Sequence, residues 1–546
     1  MAEATRALKT RSMKPRACYD RRALRRTFGL LFMVAGSLAA CGEKSPTTTA
    51  PVRDVQGPDR AGPSAAPEAA ADEPPAPADE VAPAEPAVAE AAPAPPPFDP
   101  APTLALMGWG VETRSMELRS AHHVFPEPNE KAEPLGKIIA GTRLPIRAGV
   151  AGTTRGCKAW LAVEPAGWIC SRGVSASVSE PLAEVQPPLP PAALLPQPYY
   201  NVVAGAQRFK NEAAVEAGTP LPEPKAKSAY MVTGDDVVEI GGVDYARTAV
   251  GLIAVDDLRA YRPSTFAGID LAASPPASWP FAWVVAKGGR GKKAKELAIL
   301  DTPDRKGVEV GVATYRSTVP VLEETDDYVR IGPDQWLPKA SVRIARRRTR
   351  PAGTGDDGRW IDVDRDQQVM IAYDHDEPVY ATLVASGIRK SYTPPAVYRL
   401  RSKASVTKMG AEESEASYYM VSQVPWATRF RSGLYFHAAY WHDDFGRPKS
   451  HGCVNLAPRD AKWVYDWTTP TMPAGWNELE VPLEGAMIVR VYDEKDPDPP
   501  VFDYAKEAID RVKIRKREQR LKAQREAREA AEAAEAAGIE PATAPP

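Results

Sequence analysis

The chain has 546 residues, which is too many for a single hydrophobic core, so several domains are expected. Its formal net charge is −2, but residues 1–40 are strongly basic and the remainder is acidic. An acidic remainder offers no basic face for nucleic acid, so the composition argues against a nucleic-acid partner.

Residues 1–40 have the pattern of an export signal. Four arginines between positions 21 and 26 precede an apolar run at 27–40, which is too short to span a bilayer and is typical of a signal-peptide core. The run ends in LAAC at 38–41, which resembles the lipobox of bacterial lipoproteins. The resemblance implies cleavage before Cys41 and lipidation of its thiol, whereas the alternative is an ordinary secretory signal followed by a chance cysteine. We therefore expect an exported protein, anchored by lipid to a bacterial membrane and facing the periplasm or cell wall. Inner and outer membrane both remain open.

Residues 41–102 are rich in proline, alanine and glutamate and contain almost no large apolar side chain. Such a composition cannot bury a core, so this stretch is predicted to be a disordered tether.

Two later segments share one pattern, in which an aromatic residue precedes a proline by five positions and a tryptophan by eight. The copies are Trp160, Pro165 and Trp168 in the first, and Tyr328, Pro333 and Trp336 in the second. Each copy predicts a β-hairpin and resembles bacterial Src-homology-three-like barrels. Two small barrels are therefore expected at 103–180 and 282–345, with a weaker echo between Tyr245 and Leu258. The stretch between them, 181–281, is predicted to be a proline-rich linker followed by a β region that the sequence does not place.

Cys157 and Cys170 are left as a pair once Cys18, Cys41 and Cys453 are assigned to the signal, the lipid anchor and the site discussed below. In an oxidising compartment such a pair predicts a disulfide. The alternative is two buried free thiols.

Residues 346–358 form a linker by composition, and a new domain is expected at 359–493. Alternating apolar and polar residues predict strands there, and one helix is predicted to begin at Pro458, after the cysteine. Residues 504–537 are dense in Lys, Arg, Glu and Ala and predict a charged helix, which is either exposed or a contact for an unknown partner. Residues 538–546 are expected to be a disordered tail.

The densest group of reactive side chains lies between residues 433 and 456. It contains His437, His442 and His451, three of the six histidines in the chain, together with Cys453. A thiol attacks acyl carbon as a thiolate, so it needs a base and a polarising environment, both of which neighbouring histidines and backbone N–H groups can supply. The same four side chains have enough ligand atoms for zinc, but their spacing matches no common zinc motif.

Ser450-His451-Gly452-Cys453-Val454-Asn455, with His437 upstream, resembles the signature of the YkuD family of L,D-transpeptidases. The resemblance implies a YkuD-type β-sandwich catalytic domain, so the whole chain is expected to be mainly β, with the small barrels before this domain and the charged helix after it. It also implies a role for each site residue. Cys453 would be the nucleophile and His437 its base, oriented by the carbonyl of residue 438. His451 and Gly452 would shape the pocket and oxyanion hole, supported by Ser450 and Asn455. Trp441 and Arg447 are the residues expected near the acceptor groove, whereas His442 is expected to be a loop residue or a substrate contact.

The family resemblance further implies a peptidoglycan stem peptide as substrate. The cysteine would cleave the bond between diaminopimelate and D-alanine and pass the acyl group to an amine, without metal or cofactor. Two alternatives remain open at this point: a wall-binding lipoprotein whose YkuD-like domain is inactive, and an L,D-carboxypeptidase in which water accepts the acyl group.

Overall fold

The computed structural model describes residues 99–154, 156–222, 229–234, 236–286, 296–351, 358–388, 392–410 and 419–505, together with 520 and 523. The predicted signal sequence, Cys41 and nearly all of the tether lie outside these residues. So do most of the predicted C-terminal helix and the tail. No helix in the described ranges is long and apolar enough to cross a membrane.

The described residues are mainly β, as predicted. The first module, residues 101–177, consists of short strands and one helix, since its sequence alternates short apolar runs with glycine. Its elements are α1 (Ala101–Met107), β1 (Ser115–Leu118), β2 (His122–Val124), β3 (Gly136–Ile138), β4 (Arg143–Pro145), β5 (Gly149–Thr154), β6 (Cys157–Ala162), β7 (Trp168–Cys170) and β8 (Val174–Ser177).

The second module fills the region that the sequence did not place. It contains β9 (Tyr199–Val202), β10 (Arg208–Phe209), α2 (Glu212–Glu216), β11 (Ala229–Thr233), β12 (Val237–Ile240), β13 (Val243–Thr248), β14 (Gly251–Ala254), β15 (Leu258–Ala260) and β16 (Ile269–Asp270).

The third module, residues 281–345, packs around a separate small core that includes Val284, Val329 and Leu337. Its strands are β17 (Phe281–Val284), β18 (Glu296–Leu300), β19 (Glu309–Thr314), β20 (Thr318–Pro320), β21 (Glu323–Glu324), β22 (Tyr328–Gly332), β23 (Gln335–Pro338) and β24 (Val342–Ala345).

The same local unit recurs in all three modules: a hairpin followed by a turn and a short strand. The hairpins predicted around Trp160 and Tyr328 are confirmed as β6–β7 and β22–β23, and the weaker echo is the hairpin β13–β14. The strands that follow begin at Val174, Leu258 and Val342, at intervals of 84 residues. The regular interval indicates three versions of one module.

The C-terminal sandwich follows, and its predicted strands and helix are confirmed. It contains β25 (Arg359–Asp364), β26 (Val369–Asp374), β27 (Glu377–Leu383), β28 (Ala396–Arg399), β29 (Ser402–Gly410), β30 (Tyr419–Arg431), β31 (Leu434–Ala438), β32 (Val454–Leu456), α3 (Pro458–Trp467), β33 (Trp476–Glu480) and β34 (Ile488–Tyr492). Pro458 occupies the start of α3, where a missing N–H costs no helical hydrogen bond.

Two sheets enclose the main core, and both reach beyond the sandwich. One has the order β16-β27-β26-β25-β34-β28. The other runs β15-β9-β11-β30-β29-β33-β3-β2, with β31 paired to β30 and β32 to β31. The first module therefore adds β3 beside β33, and the second adds β11 beside β30. The modules that precede the sandwich in the sequence are part of its sheets in space.

Cys157 lies in β6 and Cys170 in β7, the two paired strands of one hairpin. Their Cα atoms are 5.5 Å apart and the two sulfur atoms are bonded. The bridge is buried against Trp160 and Phe125 in a small apolar cluster of the first module.

Candidate active site

The site is built on two short neighbouring strands, β31 and β32, which run parallel. Phe436 pairs with Val454 and His437 with Asn455, so Cys453 directly precedes the paired residues of β32. Side chains alternate across a strand, so Phe436 and Val454 face the apolar core. His437 and Asn455 consequently share the opposite face of the sheet, and Cys453 lies two residues before Asn455, in the turn that leads into β32.

A tight turn at residues 450–453 fixes the position of Cys453. The Ser450 hydroxyl donates to the Cys453 carbonyl and accepts from the Gly452 N–H at 3.0 Å. Gly452 has a φ of +122°, a region that side chains with a Cβ rarely adopt. Gly452 therefore supplies the bend, but its N–H is already engaged within the turn.

Thr393 is a part of this turn that the sequence reasoning missed. Its buried hydroxyl donates to the Gly452 carbonyl at 2.7 Å and accepts from the Gly387 N–H at 3.0 Å. The residue lies 59 positions upstream of Gly452, in the Pro-rich corner before β28.

His437 is almost fully buried, with 2% of its surface exposed. Its Nδ1 lies 3.2 Å from the carbonyl oxygen of Ala438. A carbonyl can only accept, so Nδ1 carries the proton and Nε2 keeps its lone pair. Trp441 stacks on the ring at a centroid distance of 5.6 Å. Burial lowers the pKa of His437 to about 4, so the imidazole is neutral at physiological pH.

Cys453 is partly exposed at the end of the turn. Its S–H donates to the Gly433 carbonyl at 3.5 Å. Loss of solvent around the sulfur raises the pKa of the thiol to about 11, while a hydrogen bond from the Tyr435 backbone N–H acts in the opposite direction. The resting site therefore holds a neutral Cys453 thiol and a neutral His437 imidazole.

His442 belongs to the site, although the sequence suggested only a loop residue or a substrate contact. Burial lowers its pKa to about 4, and its Nδ1 accepts from the Asp444 N–H at 3.2 Å. The neutral ring therefore carries its proton on Nε2, which lies 2.9 Å from the amide nitrogen of Asn455. Two N–H groups cannot bond to each other, and the buried Asn455 oxygen has no partner among the described residues. Turning the amide by 180° pairs that oxygen with Nε2–H and satisfies both groups.

The other expected site residues occupy distinct places around the turn. Arg447 and His451 are exposed, Trp441 is half-buried over His437, and Ser450 and Asn455 are buried. Ser386 and Gly387 flank Ser450 and belong to the wall of a cavity of about 370 Å³. The cavity is lined by Arg365, Asp366, Gln368, Ser386, Gly387, Tyr392 and Pro448. Among the described residues, no group of three or more His, Cys, Asp or Glu side chains is arranged to hold a metal ion.

Comparison with known families assigns this region to a class. Residues 358–483 match the YkuD family, described as an L,D-transpeptidase catalytic domain, so this part of the chain is a YkuD catalytic domain. The three modules before it lie outside the matched residues.

Solved structures similar to the chain include three L,D-transpeptidase structures. A cysteine-to-serine mutant from Enterococcus faecium is 20% identical, with a TM-score of 0.20, and the match covers 25% of this chain and 50% of the other. L,D-transpeptidase 3 from Mycobacterium tuberculosis is also 20% identical, with a TM-score of 0.21, covering 25% and 61%. The isolated catalytic domain of the E. faecium enzyme is 22% identical, with a TM-score of 0.20, covering 25% and 98%. This chain thus spans about half the length of the chain in the E. faecium mutant structure. A comparison with curated proteins gave no match.

Proposed function

We propose that the protein is a peptidoglycan L,D-transpeptidase that uses Cys453 as its nucleophile. The observation that carries the proposal is the parallel pairing of β31 with β32, which puts His437 opposite Asn455, two residues after Cys453, within a domain of the YkuD family. Export and a lipid anchor at Cys41 would place this site next to the cell wall.

The neutral thiol and imidazole define how the first half-reaction begins. The sulfur attacks the carbonyl carbon between diaminopimelate and D-alanine while its proton passes to Nε2 of His437. The Gly452 N–H is already bonded to Ser450, which leaves the adjacent Cys453 N–H as the next backbone donor of the turn. The Cys453 N–H is therefore the candidate donor to the oxyanion. Collapse of the tetrahedral intermediate returns the proton to the leaving nitrogen, releases D-alanine and leaves a thioester.

In the second half-reaction an amine attacks the thioester and regenerates the thiol. The amine belongs to a second stem peptide or to a protein. Capture by water would instead give L,D-carboxypeptidase activity, which shares the first half-reaction.

The test uses two separate samples of the full chain. One is incubated with the carbapenem imipenem and its intact mass is measured, and the other is incubated with a disaccharide–tetrapeptide and its products are analysed. We expect one covalent adduct, release of D-alanine and formation of a crosslinked dimer. Cys453→Ala should remove all three, and His437→Ala should abolish acylation near neutral pH because the thiol loses its proton acceptor.

Each contrary outcome has a distinct meaning. An adduct that persists in Cys453→Ala would remove Cys453 from the mechanism, and an unmodified wild type would favour an inactive, wall-binding domain. Release of D-alanine without dimer would identify an L,D-carboxypeptidase. Retained acylation in His437→Ala would point to a different base, with His451 the first to test.

A further inference from the structure

The segment that covers the candidate site, residues 439–449, is called the site loop here. It belongs to the catalytic domain, but the third module (residues 281–345) holds it from outside. We propose that Arg316 and Arg343 of the third module are positioning residues for acyl transfer, acting through the site loop. The proposal rests on the proposed function, since it concerns the rate at which Cys453 reacts.

Arg316 holds the middle of the site loop. Its Nη2 donates to the Asp443 carboxylate at 2.7 Å and to the Asp443 backbone carbonyl at 3.0 Å. Only 15% of the Arg316 side chain is exposed, and its guanidinium lies over the Phe266 ring, 4.7 Å from the centroid. A planar guanidinium bonded to both the side chain and the main chain of one residue fixes the position of that residue.

The backbone at Arg316 is shaped for this contact. Its φ is +69°, in the left-handed region that non-glycine residues rarely occupy. A hydrogen bond from its N–H to the Val284 carbonyl, at 2.7 Å, holds the turn between β19 and β20 in that conformation. Strained backbone of this kind persists where the surrounding structure requires it, and here it directs the side chain towards Asp443.

Arg343 and Gly446 hold the far end of the site loop. Arg343 Nε donates to the Gly446 carbonyl at 2.7 Å. Gly446 has a φ of +92°, and a Cβ there would lie 2.8 Å from Cγ1 of Val285 in the third module. The site loop therefore approaches the third module closely enough that only glycine fits at this position.

The anchored loop carries two side chains that contact His437 and its strand partner Asn455. Trp441 stacks on His437, and His442 bonds to Asn455, which is paired with His437 across β31 and β32. Trp441 and His442 directly precede Asp443 in the chain, so a shift of Asp443 moves both contacts. Misplacement of a catalytic group by about 1 Å can lower a rate about 100-fold, so anchoring from another module can control the reaction.

The test compares imipenem acylation of full-length variants, separating the rate constant from the fraction of protein that reacts. Arg316→Ala and Asp443→Ala should each slow acylation about tenfold or more while the reactive fraction stays complete, because the site forms but its geometry is loosened. The double variant should be no slower than Arg316→Ala, which already removes both hydrogen bonds to Asp443, whereas Asp443→Ala removes only the carboxylate bond. Arg316→Lys, which keeps the charge, should recover part of the rate. Arg343→Ala should slow acylation in the same manner.

The matched control is Arg330→Ala, which removes a solvent-exposed ion pair with Glu323 in the same module and should react at the wild-type rate. The proposal is overturned if Arg316→Ala keeps the wild-type rate constant, if it lowers only the reactive fraction, or if its loss multiplies with that of Asp443→Ala. If Arg316→Ala does not fold, Asp443→Ala decides, because its side chain is half-exposed, and a wild-type rate constant there overturns the proposal. A wild type that forms no adduct instead contradicts the proposed function.

Discussion

Cys453 and His437 are both uncharged in the resting site. Burial holds the pKa of Cys453 well above, and that of His437 well below, their usual values. A thiolate–imidazolium pair would require two charges in a poorly solvated site, which the surroundings oppose. In the proposed mechanism, Cys453 would therefore lose its proton to His437 during attack on the substrate.

This protonation state predicts the pH dependence of alkylation. A thiol whose folded pKa is raised to about 11 is deprotonated only at high pH, so the iodoacetamide reaction of Cys453 should keep rising above pH 9. The rate is measured by mass spectrometry from pH 6 to 10, with N-acetylcysteine as the reference and Cys453→Ala to confirm the site. A plateau reached below pH 7 would show that the resting pair is charged.

The β6–β7 hairpin of the first module is held by a disulfide. The β6–β7 hairpin has few residues to form a core, and its two cysteines face Trp160 and Phe125 in a cluster of their own. Joining positions 157 and 170 limits the conformations of the unfolded chain, which stabilises the folded hairpin.

The disulfide is tested by thiol titration and by substitution. Reduction of the denatured full-length protein should reveal two more thiols than the unreduced sample has. Cys157→Ser/Cys170→Ser should lower the stability of the first module by about 3 kcal/mol, the usual size for a loop of this length. Thermal unfolding followed by circular dichroism measures the change, with Cys453→Ser as the control. An equal thiol count before and after reduction would contradict the bridge.

At the scale of the whole molecule, the modules close the open edges of the catalytic domain. Without β3 and β11, the strands β33 and β30 would expose unpaired backbone groups. Side chains reinforce these joints. The Trp476 indole donates to the Glu164 carbonyl at 3.1 Å, and Tyr199 stacks on Tyr440 of the site loop at 3.8 Å. The modules are therefore structural partners of the catalytic domain and not only attachments to it.

Gly136→Ala should weaken the joint between β3 and β33. A Cβ at Gly136 would lie 2.1 Å from the Glu478 carbonyl oxygen, so one strand must move away. Overpacking of this kind typically costs about 1–3 kcal/mol, which should lower the melting temperature. Lys137→Ala is the control, because it removes only a long, exposed ion pair with Glu478, at 3.8 Å, and should change little. A melting temperature of Gly136→Ala equal to that of wild type would mean that the joint is not tight.

The sequence predicted those parts of the site that depend on near neighbours. The Ser450–Asn455 motif and Pro458 form one continuous turn, strand and helix, so local chemistry indicated their geometry. Strand patterning similarly predicted the sandwich strands and the two hairpins, because the period of the side chains is set within each strand.

The sequence by itself determined the motif, the mainly β class and the repeated hairpin. Only the tertiary structure decided which distant groups support the site. Thr393 meets Gly452 across 59 residues, and Arg316 meets Asp443 across 127. It also decided the edge pairing of the modules and the neutral charge state of the reacting pair. Burial and long-range pairing depend on which surfaces exclude water when the whole chain packs, and no local pattern contains that information.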